Sequence, residues 1–150
     1  MKSDAIDNLF KNYSEVSPTH LSADQFGTLL TFFPALLVIA SDGVIDDDEW
    51  VYVKYLAKFM AENDKDTSGK NQKELQKQYF NELKYLLESL MNWEEKFIDT
   101  LADYLMNYPE IKEDIEEILH MFAEASEGES EIEEETIASL SHKLGLEGDA

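Results

Sequence analysis

The segment SADQFGTLLTFFPALLVIASDGVIDDDEWVYVKYLAKFM (residues 22–60) contains two helices and the acidic turn between them. Ser22-Ala23-Asp24-Gln25 reads as a capping box, in which the Ser22 hydroxyl takes a first-turn backbone N–H and Gln25 reaches back. The helix it opens carries Phe26, Leu29, Leu30 and Phe33 at helical spacing. Pro34 predicts a kink or a restart, because proline removes a backbone donor. Leu36 to Ala40 is apolar all round, the mark of a fully buried central helix. After the turn, Trp50, Val53, Leu56, Ala57 and Met60 recur at helical spacing.

The same period continues outward. A short helix is expected from Asp4 to Tyr13, followed by a loop, Ser14 to Leu21, that holds Pro18. Glu62 to Gln72 is polar and contains glycine, so it predicts a mobile loop. Tyr79, Leu83, Leu86 and Leu90 mark a long amphipathic helix, and Phe97, Ile98, Leu101 and Leu105 another. Pro109 suits the first turn of the next helix, whose core face carries Ile111, Ile115, Ile118, Leu119 and Phe122. Ser130-Glu131-Ile132-Glu133 opens the last helix, which runs to about Leu144 and ends at Gly145. No stretch alternates with period two over any length. The expectation is an all-α, single-domain bundle of about seven helices spanning residues 1–150, with flexible termini.

Composition narrows the function. A net charge of −21 on 150 residues would repel nucleic acid and anionic membranes. A divalent cation, or a protein with a basic or mixed basic and apolar surface, is a better partner. Cysteine is absent, which excludes disulfides, thiolate nucleophiles and sulfur-ligated zinc. The longest apolar run, Leu29 to Ala40, is too short for a membrane span of about 20 residues. The N-terminus lacks the pattern of a signal peptide, so a cytoplasmic location is expected.

Two helix–turn–helix units echo one another. Ala40-Ser41-Asp42-Gly43 matches Ala125-Ser126-Glu127-Gly128. With one residue fewer in the second turn, Asp46 falls on Ser130 and Glu49 on Glu133. Ile39-Ala40-Ser41-Asp42-Gly43-Val44-Ile45, three acids and Glu49, with the later acidic Gly turn and the closing Lys143-Leu144-Gly145-Leu146, resembles the tellurite-resistance TerB-like family over Leu29 to Leu146. The N-terminal domain of a membrane-anchored DnaJ-like co-chaperone shares that fold. The resemblance implies about seven helices, an acidic cluster proposed to bind divalent metal, and stress-response roles through protein contacts without catalysis. The second turn departs from the family pattern, with Glu127 in place of Asp and Ser130 in place of an aliphatic residue.

The acidic turn itself admits two readings. Asp42-Gly43-x-Ile45-Asp46-x-x-Glu49 matches the back half of an EF-hand loop, but Val38 and Ala40 occupy its front acidic positions. Asp42, Asp46 and Glu49, with Glu127 contributing, are therefore the candidate ligands for calcium, magnesium or manganese. The plainer reading is capping: Asp46 as N-cap, Glu49 as its partner, and acids stabilising a helix start by about 0.3–1 kcal/mol each. Asp64 to Gly69 imitates the front half of an EF-hand loop without its closing glutamate, and reads more simply as a linker. Glu117-x-x-His120 is one half of a di-iron motif that needs two, and only one is present. No phosphate loop, nucleophile elbow or organic-cofactor motif is found. The leading expectation is a non-enzymatic, cation-binding TerB-like module. A metal-independent interaction domain is the alternative, and a carboxylate-bridged metal enzyme a remote one.

Overall fold

Helix α2 (Ala23–Ile39) lies at the centre of the molecule: every one of its residues except Ala23, Asp24, Thr28 and Thr31 is buried. The computed structural model describes residues 4–40, 47–63, 72–125 and 131–146. Around α2 stand α1 (Asp4–Ser14), α3 (Asp47–Asn63), α4 (Gln72–Glu88), α5 (Leu90–Asn107), α6 (Lys112–Ala125) and α7 (Glu131–Leu144). A single 3-10 turn, Pro109–Ile111, leads into α6. Among the described residues there are seven α-helices and no strand. None of these helices is long and apolar enough to cross a membrane.

The packing follows from which helices carry apolar stripes. α3 and α4 pack closely on each other, while α2 packs on α3, α5, α6 and α7, and α1 lies mainly on α5. Pro34 does not restart α2, which runs through it as one helix. Proline forfeits the bond to the Leu30 carbonyl, a cost of about 3 kcal/mol. Phe33, Ala35 and Leu36 beside it are fully buried. Burial of large apolar side chains returns about 1.5–3 kcal/mol each, so the helix that buries them persists. The polar stretch Glu62 to Gln72 is also shorter as a connection than its composition predicts. Glu62 and Asn63 belong to α3 and Gln72 to α4. Residues 64–71, with the imitation EF-hand half, lie outside the described residues.

Two of the expected helix-end signals are observed, while the Asp46 cap and the Ser130 capping box lie outside the described residues. Gln25 N–H donates to Ser22 Oγ at 3.2 Å and Ser22 N–H to Gln25 Oε1 at 2.9 Å, completing the box. At the other end of the chain, Gly145 has φ +68°. Its N–H donates to the His142 carbonyl at 3.3 Å, and Leu146 N–H to the Ser141 carbonyl at 2.8 Å. Leu146 is buried, which supplies the apolar contact of a Schellman ending.

The core centres on Phe97 of α5. Its ring lies 4.7 Å from Phe33, 5.6 Å from Phe26 and from Tyr13, and 6.0 Å from Trp93, centroid to centroid. Two helices, α1 and α2, therefore meet α5 at one side chain. The two helix–turn–helix units do not repeat this packing. α3 spends its surface on α4 and α2, whereas α7 packs on α5 and α2. Phe97→Ala is expected to lower the unfolding free energy by about 3–5 kcal/mol, because the four rings around the cavity are too large to collapse into it. Urea titration should show the midpoint fall at constant slope.

Candidate functional site

The C-terminal end of α2 opens onto a cleft of about 400 Å³. Leu37 and Ala40 of α2, Leu90 and Glu94 of α5, and Glu135 and Lys143 of α7 line it. Ala40 immediately precedes the first acidic turn, and Glu135 stands one turn into the helix that follows the second. The described segments flanking both turns thus share one cleft. Glu94 and Glu135 bring two carboxylates to it, with Lys143 as a counter-charge.

The candidate ligands themselves are at the edge of what is described. Asp42, Asp46 and Glu127 lie outside the described residues. Glu49 falls in the first turn of α3, and its side chain is likewise outside them. Among the described residues, no group of three or more His, Asp or Glu side chains is arranged to hold a metal. Glu117 and His120 point outward from α6 and are exposed, with His120 Nε2 3.9 Å from Glu116. A di-iron bundle site needs such residues projecting inward.

A second polar constellation is internal, and the sequence reading did not single it out. Glu82 of α4 is fully buried. Its Oε1 accepts from the Tyr13 hydroxyl at 2.6 Å. Its Oε2 accepts from Ser17 Oγ at 2.8 Å and from the Thr19 amide at 2.9 Å, and the Thr19 hydroxyl also donates to it. The loop that follows α1, residues 15–22, is thereby wrapped around one carboxylate. His20, next in the chain, takes a left-handed backbone with φ +56°, a conformation that non-glycine residues adopt sparingly. Burial, reinforced by Glu82 and by Tyr85, pushes the Tyr13 phenol far above its ordinary range. Burial raises Tyr104 as well, with Tyr108 and Glu110 adding to it.

Gln25 and Gln78 form a parallel device. Their amides exchange two hydrogen bonds, both 3.3 Å, and both residues are buried. The capping residue of α2 is thereby tied to α4. Among the described residues, no buried side-chain nitrogen or oxygen lacks a partner. These internal groups are saturated, so they position helices and offer nothing to a ligand. The signal for Glu82 was present: it sits on the stripe Leu75, Tyr79, Leu83, Leu86 at helical spacing, where a charge is out of place.

No family model, curated protein or solved structure matches the chain.

Two outcomes test the internal network. Glu82→Leu should cost about 3–5 kcal/mol in chemical denaturation, since it strands the buried Tyr13 and Ser17 donors at about 1–3 kcal/mol each. The second concerns alkaline pH. The unfolded chain releases the tyrosine proton near pH 10, whereas the folded chain holds Tyr13 protonated well above that. The folded state therefore binds the extra proton, and stability is intact below pH 10 and falls above it. Tyr13→Phe should flatten that fall by about 1.4 kcal/mol per pH unit.

Proposed function

We propose that this chain is a non-enzymatic, TerB-like interaction module of the cytoplasm, linked to stress response, that binds a divalent cation at its paired acidic turns. Asp42, Asp46 and Glu49 are the first-choice ligands, and Glu127 contributes from the second turn. The observation that supports pairing is the shared cleft. Ala40 and Glu135, which flank the two turns in the chain, line the same hollow. Hard cations such as calcium, magnesium and manganese suit all-oxygen ligand sets of this kind.

The net charge of −21 gives the cation its effect. Self-repulsion works against the folded chain, and a bound divalent ion relieves it locally. The cation then acts as a stabiliser and as a switch of the surface charge presented to a basic, partly apolar protein. In the second reading the acidic surface recognises that partner without metal. It is favoured by the exposed carboxylates of α6, Glu113, Glu116 and Glu117, which carry no lysine ion pair among the described residues.

Thermal melting in calcium, magnesium or manganese, against a chelator, separates the two. At about one hundred times the dissociation constant the ion contributes about 2.7 kcal/mol, a rise of roughly 5–10 °C for a chain of this size. Asp42→Asn with Glu49→Gln should leave helix content unchanged and abolish that rise. An unchanged melting curve at millimolar metal would leave only the metal-independent reading.

A further inference from the structure

The lysines are not spread evenly over this acidic molecule. All 12 basic residues are lysine, against 33 carboxylates. Five of them, Lys54, Lys58, Lys73, Lys77 and Lys84, are exposed on the α3–α4 hairpin. The exposed carboxylates described on the same two helices are Asp47, Glu62, Glu74 and Glu88, each within a turn of a helix end. None of the five lysines forms an ion pair with a described carboxylate. Lys54, Lys73 and Lys77 instead converge, with Gln76, around the half-buried Phe80 ring in a hollow of about 390 Å³. Val51 and Tyr55, one helical turn apart on α3, are 57% and 61% exposed beside them.

Gathering like charges is unfavourable unless something acidic covers them. In a chain with nearly three carboxylates per lysine, scattered lysines would pair at home. The complementary surface is on the same molecule. Along α6, Glu113, Glu116, Glu117 and His120 line a shallow hollow with the exposed Met121. Its acids recur at helical spacing, as Lys73 and Lys77 do on α4. α6 packs mainly on α2, and the hairpin mainly on itself, so neither face serves the other within one copy.

We infer that the hairpin face binds the α6 edge of a second copy of this chain, in a head-to-tail contact. Lys54, Lys73 and Lys77 meet Glu113, Glu116 and Glu117, while Tyr55 and Phe80 meet Met121. Because the two faces differ, the contact is heterologous and repeats into open oligomers rather than closing as a symmetric dimer. The residues are distinct from those of the α2–α5–α7 cleft, so the inference stands apart from cation binding.

Sedimentation of the full chain over a concentration series tests it. At about 150 mM salt, charges beyond roughly 8 Å are screened and the local pairs dominate, giving concentration-dependent association. At about 10 mM salt the screening length grows to roughly 30 Å, the net charges repel, and association weakens. At about 1 M the contact pairs are themselves screened and it weakens again. A purely apolar contact would instead strengthen steadily with salt. Lys54→Gln/Lys73→Gln/Lys77→Gln and Glu113→Gln/Glu116→Gln/Glu117→Gln should each weaken association at least tenfold with helix content unchanged. The second result is diagnostic, because it reduces the net negative charge yet disfavours contact. Mixed together, the two variants should form a 1:1 dimer and nothing larger, each contributing its intact face. A wild-type chain that stays monomeric to millimolar concentration overturns the inference. So do variants that associate as wild type does, or a mixture that stays monomeric. A monomer that captures a synthetic acidic amphipathic helix also overturns it, assigning the hairpin face to a foreign partner.

Discussion

A single buried carboxylate organises the polar interior. Glu82 sits on the apolar stripe of α4 and takes donors from Tyr13, Ser17 and Thr19. Those residues lie more than sixty positions away in the chain, so the contact joins the end of α1 and the following loop to the second half of the bundle. The aromatic core is built on the same anchor. Tyr13 is held by its hydroxyl while its ring packs against Phe26, Trp93 and Phe97. A buried polar group of this kind is costly unless fully satisfied. Its satisfaction is therefore also a constraint: the loop can take only the path that delivers these donors.

The Gln25–Gln78 amide pair extends that constraint to α2. Gln25 closes the capping box of α2 with one oxygen and shares the same amide with α4. Starting α2 in register thus also positions it against α4. From there α2 runs through the core, past Pro34, and delivers Ala40 to the cleft at its far end. The internal network places the helix, and the helix places the point from which the first acidic turn departs.

Charge is arranged with less economy than apolar surface. The carboxylates crowd α5 to α7, and the lysines collect on α3 and α4. On α6, His120 stands 3.9 Å from Glu116 one turn away, an exposed pair. Surface ion pairs therefore add little to stability here, as is general for exposed pairs. What the segregation does create is a local lysine cluster, Lys54, Lys73 and Lys77, on an otherwise acidic molecule. Such an arrangement governs encounter and orientation more than fold.

Helix positions, the Ser22 capping box and the Gly145 ending were all legible in the sequence, because each depends on residues within one or two turns. Of the burial expected for Leu36 to Ala40, Leu36 to Ile39 are buried, since an all-apolar segment has no polar face to expose, while Ala40 at the helix end is half-buried. Glu82 was not legible as an anchor, although its place on an apolar stripe marked it as unusual. A glutamate on a helix ordinarily faces water, and the donors that reverse that preference come from residues 13–19. The persistence of α2 through Pro34 was likewise decided by burial from neighbouring helices, which outweighs the local loss of one hydrogen bond. The sequence by itself determined an all-helical, acidic chain, because periodicity, caps and charge are local properties. Only the tertiary structure decided which ends share a cleft, which lysines stand together and which carboxylate is buried, because those depend on contacts between residues far apart in the chain.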